Sequence, residues 1–274
     1  MERGLTETEA EGEQVGGPLR TTDRSWRGFR SLVQRLGARS PNNREHALEE
    51  LAERVRQGGG AAARVLLRAA ARSLLFDPEM CVRITAGEIL DEFGTLQDAR
   101  ALWAAFPDPE WAVRATYASA LGSCGLSKSN RDRLALVAET DPDYHVRGYA
   151  AYALGYADRR EYAERLAKQF ASEETEWGQV VFLGALFMLE PARYKDELLG
   201  RFTTQDWTIA GLLIDTVTDA VDLHRIDGEQ IAYVRWSLEG VADREPADEM
   251  TPLIKLLRET DEAARGTRPA PAVR

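Results

Sequence analysis

The chain has 274 residues, 44% of them apolar, and a formal net charge of −10. That is enough apolar side chain to bury a sizeable core, so the chain as a whole is not of the disordered class. No apolar run approaches the ~18 residues a membrane-spanning helix needs, and Met1-Glu2-Arg3-Gly4-Leu5-Thr6-Glu7 lacks the basic stretch and apolar core of a secretory signal.

A cytoplasmic protein without a membrane partner is therefore expected. The charge is uneven: −4 over residues 1–19, +7 over 20–72 and −13 over 73–274. An acidic body repels nucleic acid at long range, so nucleic acid is not an expected partner. The basic segment is expected to dock on the acidic body. Cys81 and Cys124 fall inside predicted helices and form no CxxC pair, which reads as two reduced, buried thiols. Arginine far outnumbers lysine, as in GC-rich bacterial genomes.

Residues 1–20 are rich in Glu, Gly and Thr and are expected to be a disordered acidic tail. Trp26, Phe29, Leu32, Val33 and Leu36 then mark one apolar helical face, which Gly37 ends. Ser40-Pro41 starts a second helix with Ala47, Leu48, Leu51, Ala52 and Val55 facing inward. Gln57–Gly60 breaks it, and an Ala- and Leu-rich helix follows to about Phe76.

One pattern then occurs three times. Asp77-Pro78, Asp108-Pro109 and Asp141-Pro142 each precede a Val-Arg pair, at starts 31 and 33 residues apart. The apolar positions repeat in register: Val82, Ala86, Ile89, Leu90; Val113, Tyr117, Ala120, Leu121; Val146, Ala150, Ala153, Leu154. That spacing is a helical face. The Asp is expected to cap the first turn, the Pro to take the first helical position, and Gly94, Gly122 and Gly155 to end the helix. A shorter helix follows each, over Leu96–Phe106, Arg131–Glu139 and Arg160–Phe170. Weaker copies open at Glu176-Trp177 and Asp206-Trp207, and Met250–Leu257 reads as a closing helix.

Self-similarity at this period means stacked two-helix units, each burying its neighbour's apolar face. Asp-Pro-x-x-x-Val-Arg followed by Ala-x-x-Ala-Leu-Gly resembles a HEAT repeat of the bacterial type also seen in phycobilin-lyase-like proteins. The expected fold is all-α: a right-handed α-solenoid of about five to six HEAT-like helical hairpins over residues 21–262, with a flexible tail over 263–274.

The resemblance implies that Arg83, Arg114 and Arg147 pair with Asp77, Asp108 and Asp141 of adjoining units. It also implies that second helices line the concave surface. A second series, Arg100, Arg133, Arg165 and Arg201, falls in those second helices. These four are the candidate binding residues, for an acidic loop, a carboxylate or a phosphate. Beyond them, function is expected in positions the copies do not share.

The sequence offers no catalytic residues, no metal ligands and no cofactor motif: His46, His145 and His224 are isolated, and no GxSxG, GxGxxG or P-loop run is present. His145 shares its repeat position with Cys81 and Ala112, as a packing residue does. Trp111 and Trp177 read as packing near the helix entry and Trp103 as core. The expected function is a non-catalytic protein-binding scaffold or regulator, inhibitor-like in one version, holding a protein partner on its concave face. Two alternatives stand beside it. One is a phycobilin-lyase-like enzyme or chaperone with a small molecule in the groove. The other is a HEAT-like DNA glycosylase using Trp103, Trp177 and Asp215.

Overall fold

A computed structural model describes residues 24–125, 127–203, 206–242 and 254–260; the expected tails at 1–20 and 263–274 lie outside them. The elements in chain order are α1 (Arg24–Leu36), α2 (Pro41–Arg56), α3 (Ala61–Leu74), α4 (Met80–Phe93), α5 (Ala99–Ala105), α6 (Trp111–Ser123) and α7 (Lys128–Thr140). They continue with α8 (Tyr144–Tyr156), α9 (Ala163–Ser172), α10 (Glu176–Leu189), α11 (Pro191–Gly200), α12 (Trp207–Asp222) and α13 (Gly228–Ala242). Residues 254–260 are also helical, and no strand occurs among the described residues. The fold is a HEAT-like helical solenoid.

Packing follows the repeat register. Val82, Val113 and Val146 occupy one repeat position and are each fully buried, as are Leu90, Leu121 and Leu154. Each such side chain contributes about 1.5–3 kcal/mol through removal from water. α10 is apolar on every side and buried from Val180 to Leu189, as a helix enclosed all round must be.

Arginines join the units. Arg83 donates through Nε and Nη2 to Asp108 of the next unit, at 2.7 and 3.0 Å. Arg114 does the same to Asp141 at 3.0 and 2.9 Å, and Arg147 to Glu173 at 3.0 and 2.8 Å. Arg44 extends the ladder back to Asp77. Each Nη1 also donates to carbonyls of its own turn, as Arg83 does to Asp77 and Pro78 at 2.9 and 3.1 Å. The two-pronged geometry fixes the angle between neighbouring units.

The ladder moves the helix starts. Asp77, Asp108 and Asp141 accept the N–H two residues on, at 3.0 Å each, and the helices begin one residue later still. Proline therefore lies in the turn, not at the first helical position. The carboxylates are drawn outward by the guanidinium of the preceding unit. Gly94 caps the end of α4 as expected, whereas Gly122 and Gly155 come one residue before the ends of α6 and α8 and make no left-handed turn. Both lie within α6 and α8, where the next unit presses on them. A methyl group at Gly122 would sit 2.6 Å from Ala153 Cβ, and one at Gly155 2.8 Å from the Ala185 backbone. The left-handed turns fall at Gly125 (φ 85°) and Asp158 (φ 54°) instead.

These close approaches set the curvature. The first helices, α4, α6, α8 and α10, lie tightly against one another, while the second helices touch their counterparts sparsely. A stack packed tighter on one layer bends toward that layer. The first helices therefore line the inside of the curve, and the expectation that second helices do so is corrected. The bend is strong enough for Tyr152 on α8 to reach Asp219 on α12, past α10.

Candidate functional site

The inner stripe of each first helix lies beside the core stripe, at positions three, six and ten residues beyond the buried valine. The repeat offsets make Thr85, Thr116 and Tyr149 equivalent, then Glu88, Ser119 and Tyr152, then Glu92, Ser123 and Tyr156. Here the copies diverge into polar, acidic and phenolic side chains. Glu88, Asp91, Ser119, Tyr152, Tyr156 and Asp219 line one cavity of about 360 Å³, drawn from α4, α6, α8 and α12.

The carboxylates of this face are short of cations. Tyr152 donates to Asp219 at 2.6 Å and Ser119 to Asp91 at 2.8 Å. Among the described residues, no Lys or Arg pairs with Glu45, Glu49, Glu88, Asp91, Asp215 or Asp219; Glu92 meets Arg56 at 2.5 Å. Burial, and after it the charges of Glu49, Asp91 and Glu45, holds the Glu88 carboxyl above the usual range. Burial raises Asp215 as well. For Asp219, burial and the charges of Asp215 and Asp222 outweigh the opposing Tyr152 hydrogen bond. The Tyr152 and Tyr156 phenols are pushed up by burial and then by Asp219, so both stay neutral. Carboxyls raised together in this way mark a site where an added cation is stabilised.

A second cavity of about 360 Å³ adjoins it, with Tyr149, Tyr152, Leu212, Asp215 and Asp219 in its walls. From Tyr149 an aromatic row runs along the N-terminal ends of α10, α8 and α6. The Tyr149 and Trp177 rings are 5.7 Å apart, Trp177 and His145 4.6 Å, and His145 stacks on Trp111 at 4.2 Å. His145 Nδ1 lies 3.1 Å from Asp143. The imidazole is thus packing between two indoles, as its variable repeat position suggested. Trp111 remains 43% exposed at the end of the row.

The four sequence-predicted arginines lie outside this face. Arg165 pairs with Glu139 at 2.7 Å, and Arg201 donates to Gln179 at 3.3 Å. Arg100 and Arg133 share a cavity between α5 and α7. The trio Trp103, Trp177 and Asp215 does not converge either. Trp103 is on α5 beneath Arg133, whereas Asp215 is on the inner side of α12. Among the described residues no group of His, Cys, Asp and Glu is arranged to hold a metal ion, and no helix is long and apolar enough to cross a membrane. Cys124 is buried, which pushes its thiol up to about 12, and neither cysteine is in a disulfide. The inner acidic and phenolic positions carried one sequence signal, their divergence at fixed repeat offsets.

No protein-family model and no curated protein matches the chain. Among solved structures it is similar to the complex of CpcE and CpcF of phycocyanin lyase from Nostoc sp. PCC7120. That likeness has 14% identity and a TM-score of 0.59, and covers 94% of this chain and 100% of the other. A designed armadillo repeat protein gives 15% identity and a TM-score of 0.36 over 86% of this chain and 99% of its own. The first of these likenesses supports the solenoid fold.

Proposed function

We propose that the protein is a non-catalytic scaffold that holds a basic segment of a protein partner against the inside of its curve. One observation carries the reading: Glu88, Asp91 and Asp219 line a single cavity, unpaired with any cation among the described residues and flanked by the Tyr152 and Tyr156 rings. A Lys or Arg head fits that chemistry. The carboxylates supply charge and acceptors, and the phenol rings add cation–π attraction of about 0.5–2 kcal/mol. The aromatic row from Trp111 to Tyr149, exposed at its two ends, gives the rigid aromatic anchors on which interface energy concentrates. The solved phycocyanin lyase structure is a complex of two named chains, and this reading borrows from it a partner chain, not an activity. An inhibitor that covers a basic surface is one version of the same role.

A second reading follows from the phenol rings and carboxylates that share the cavity wall: a small organic cation held there, as a lyase-like enzyme or chaperone holds its ligand. Calorimetric titration with a Lys/Arg-rich peptide and with a small alkylammonium ion separates the two. The scaffold reading expects peptide binding that weakens with salt and drops at least tenfold in the combined Glu88→Gln, Asp91→Asn, Asp219→Asn variant. Tight binding of the small cation with none of the peptide supports the second reading instead.

A further inference from the structure

The outer layer carries a feature of opposite sign. Between α5 and α7 lies a cavity of about 520 Å³ with Arg100, Trp103, Ser127, Asn130 and Arg133 in its walls and no carboxylate among its lining residues. In a chain of net charge −10 that is unusual. Other arginines of this layer are neutralised: Arg165 by Glu139 at 2.7 Å, Arg131 by Glu161 at 3.3 Å, and Arg72 by the fully buried Asp98. Among the described residues neither Arg100 nor Arg133 meets an acid. The Arg133 guanidinium lies 4.0 Å over the Trp103 ring, which holds it in place without cancelling its charge.

Two residues of its walls carry further donors. Trp103 is 7% exposed, and its buried indole N–H has no acceptor. Ser127 caps α7 by accepting the Asn130 N–H at 3.3 Å, which leaves its own hydroxyl hydrogen to donate. The cavity therefore borders the positive end of a 13-residue helix.

We propose that Arg100 and Arg133, with Trp103 and the first turn of α7, form a binding site for a phosphate-class dianion. The dianion is either a free small phosphate or a phosphorylated side chain. Two guanidinium groups and a helix start suit a tetrahedral dianion better than a single planar carboxylate. The site is on the face opposite the acidic cavity and does not depend on the scaffold reading.

The test is a titration of the full chain, ¹⁵N-labelled, with inorganic phosphate, read at the tryptophan indole N–H signals. Saturable movement of the Trp103 signal at phosphate up to about 20 mM is the expected result, since a single such site binds in the millimolar range. Arg100→Gln and Arg133→Gln are each expected to weaken it at least tenfold. Arg100→Gln alters an exposed side chain and serves if Arg133→Gln disturbs the ring beneath it. A phosphoserine peptide binding tenfold tighter than phosphate assigns the source to a protein, and equal or weaker binding assigns it to a free phosphate. Acetate moving the signal as strongly as phosphate, or a response unchanged in Arg100→Gln, overturns the proposal. So does a flat titration.

Discussion

The Tyr152 phenol donates to the Asp219 carboxylate across 2.6 Å, joining α8 to α12 over the buried α10 between them. That bond closes the inner face at its C-terminal half. It also holds a carboxylate whose neighbours Asp215 and Asp222 repel it.

Asp219→Asn keeps an oxygen to accept the Tyr152 hydrogen and removes the charge. Glu88→Gln likewise removes a charge that Glu49, Asp91 and Glu45 oppose. Both variants are expected to melt higher than the parent at neutral pH in a thermal scan, while binding a basic peptide more weakly. Gain of stability with loss of binding is the mark of a face kept acidic for a ligand.

The two kinds of carboxyl set opposite pH dependences. Glu88, Asp215 and Asp219 have folded values above the ordinary range. The destabilisation they cause is fully present above the raised values and fades as pH falls toward about 4. Burial pushes Glu173 up, but Arg147 and Thr175 overcome it and hold it below the ordinary value. Its stabilisation is present above about 4.3 and is lost as pH falls below that. Denaturant unfolding across pH 3–8 should therefore show Glu173→Gln costing stability mainly at the neutral end, where Asp219→Asn adds it.

Breaking one rung of the ladder strands a nearly buried charge. The Arg114 and Asp141 side chains are 13% and 8% exposed. Arg114→Ala is expected to cost about 2–4 kcal/mol in chemical denaturation, with the paired Arg114→Met, Asp141→Leu variant recovering most of it. Equal cost in the single and paired variants would show that the rung is not the source of the loss.

Gly155→Ala tests the close packing of the inner layer. Alanine favours a helix by about 1 kcal/mol, yet its methyl group meets the Ala185 backbone at 2.8 Å. Overpacking against backbone costs about 1–3 kcal/mol, so a net loss of stability is expected. A neutral result in the denaturation midpoint would mean that α8 and α10 separate easily.

The repeat was legible because three copies share one register: once Asp108–Gly122 recurred at Asp77 and Asp141, its Val and Leu had to be core. The middle rungs, Arg83–Asp108 and Arg114–Asp141, were legible because Asp and Arg recur together, while the end rungs Arg44–Asp77 and Arg147–Glu173 fall outside the recurring pair. The direction of curvature was not, since it depends on how closely two layers pack. That distance is set by Gly122 and Gly155 meeting Ala153 and Ala185 across units. A glycine that permits close approach reads in sequence like one that stops a helix. The site followed the same error. Once the first helices are inside, the divergent Glu88, Ser119 and Tyr152 become the inner face, and Arg100, Arg133 and Arg165, on the second helices, the outer one.

The most direct measurement is photocrosslinking from the inner face in cells that produce the protein, with a benzophenone amino acid at Ser119 and, as the outer control, at Asn130. The account predicts a stoichiometric protein crosslinked from Ser119 through a Lys- or Arg-rich segment, lost in the Glu88→Gln, Asp219→Asn background. Crosslinks from Asn130 alone, or a Ser119 crosslink that persists in that background, would contradict it.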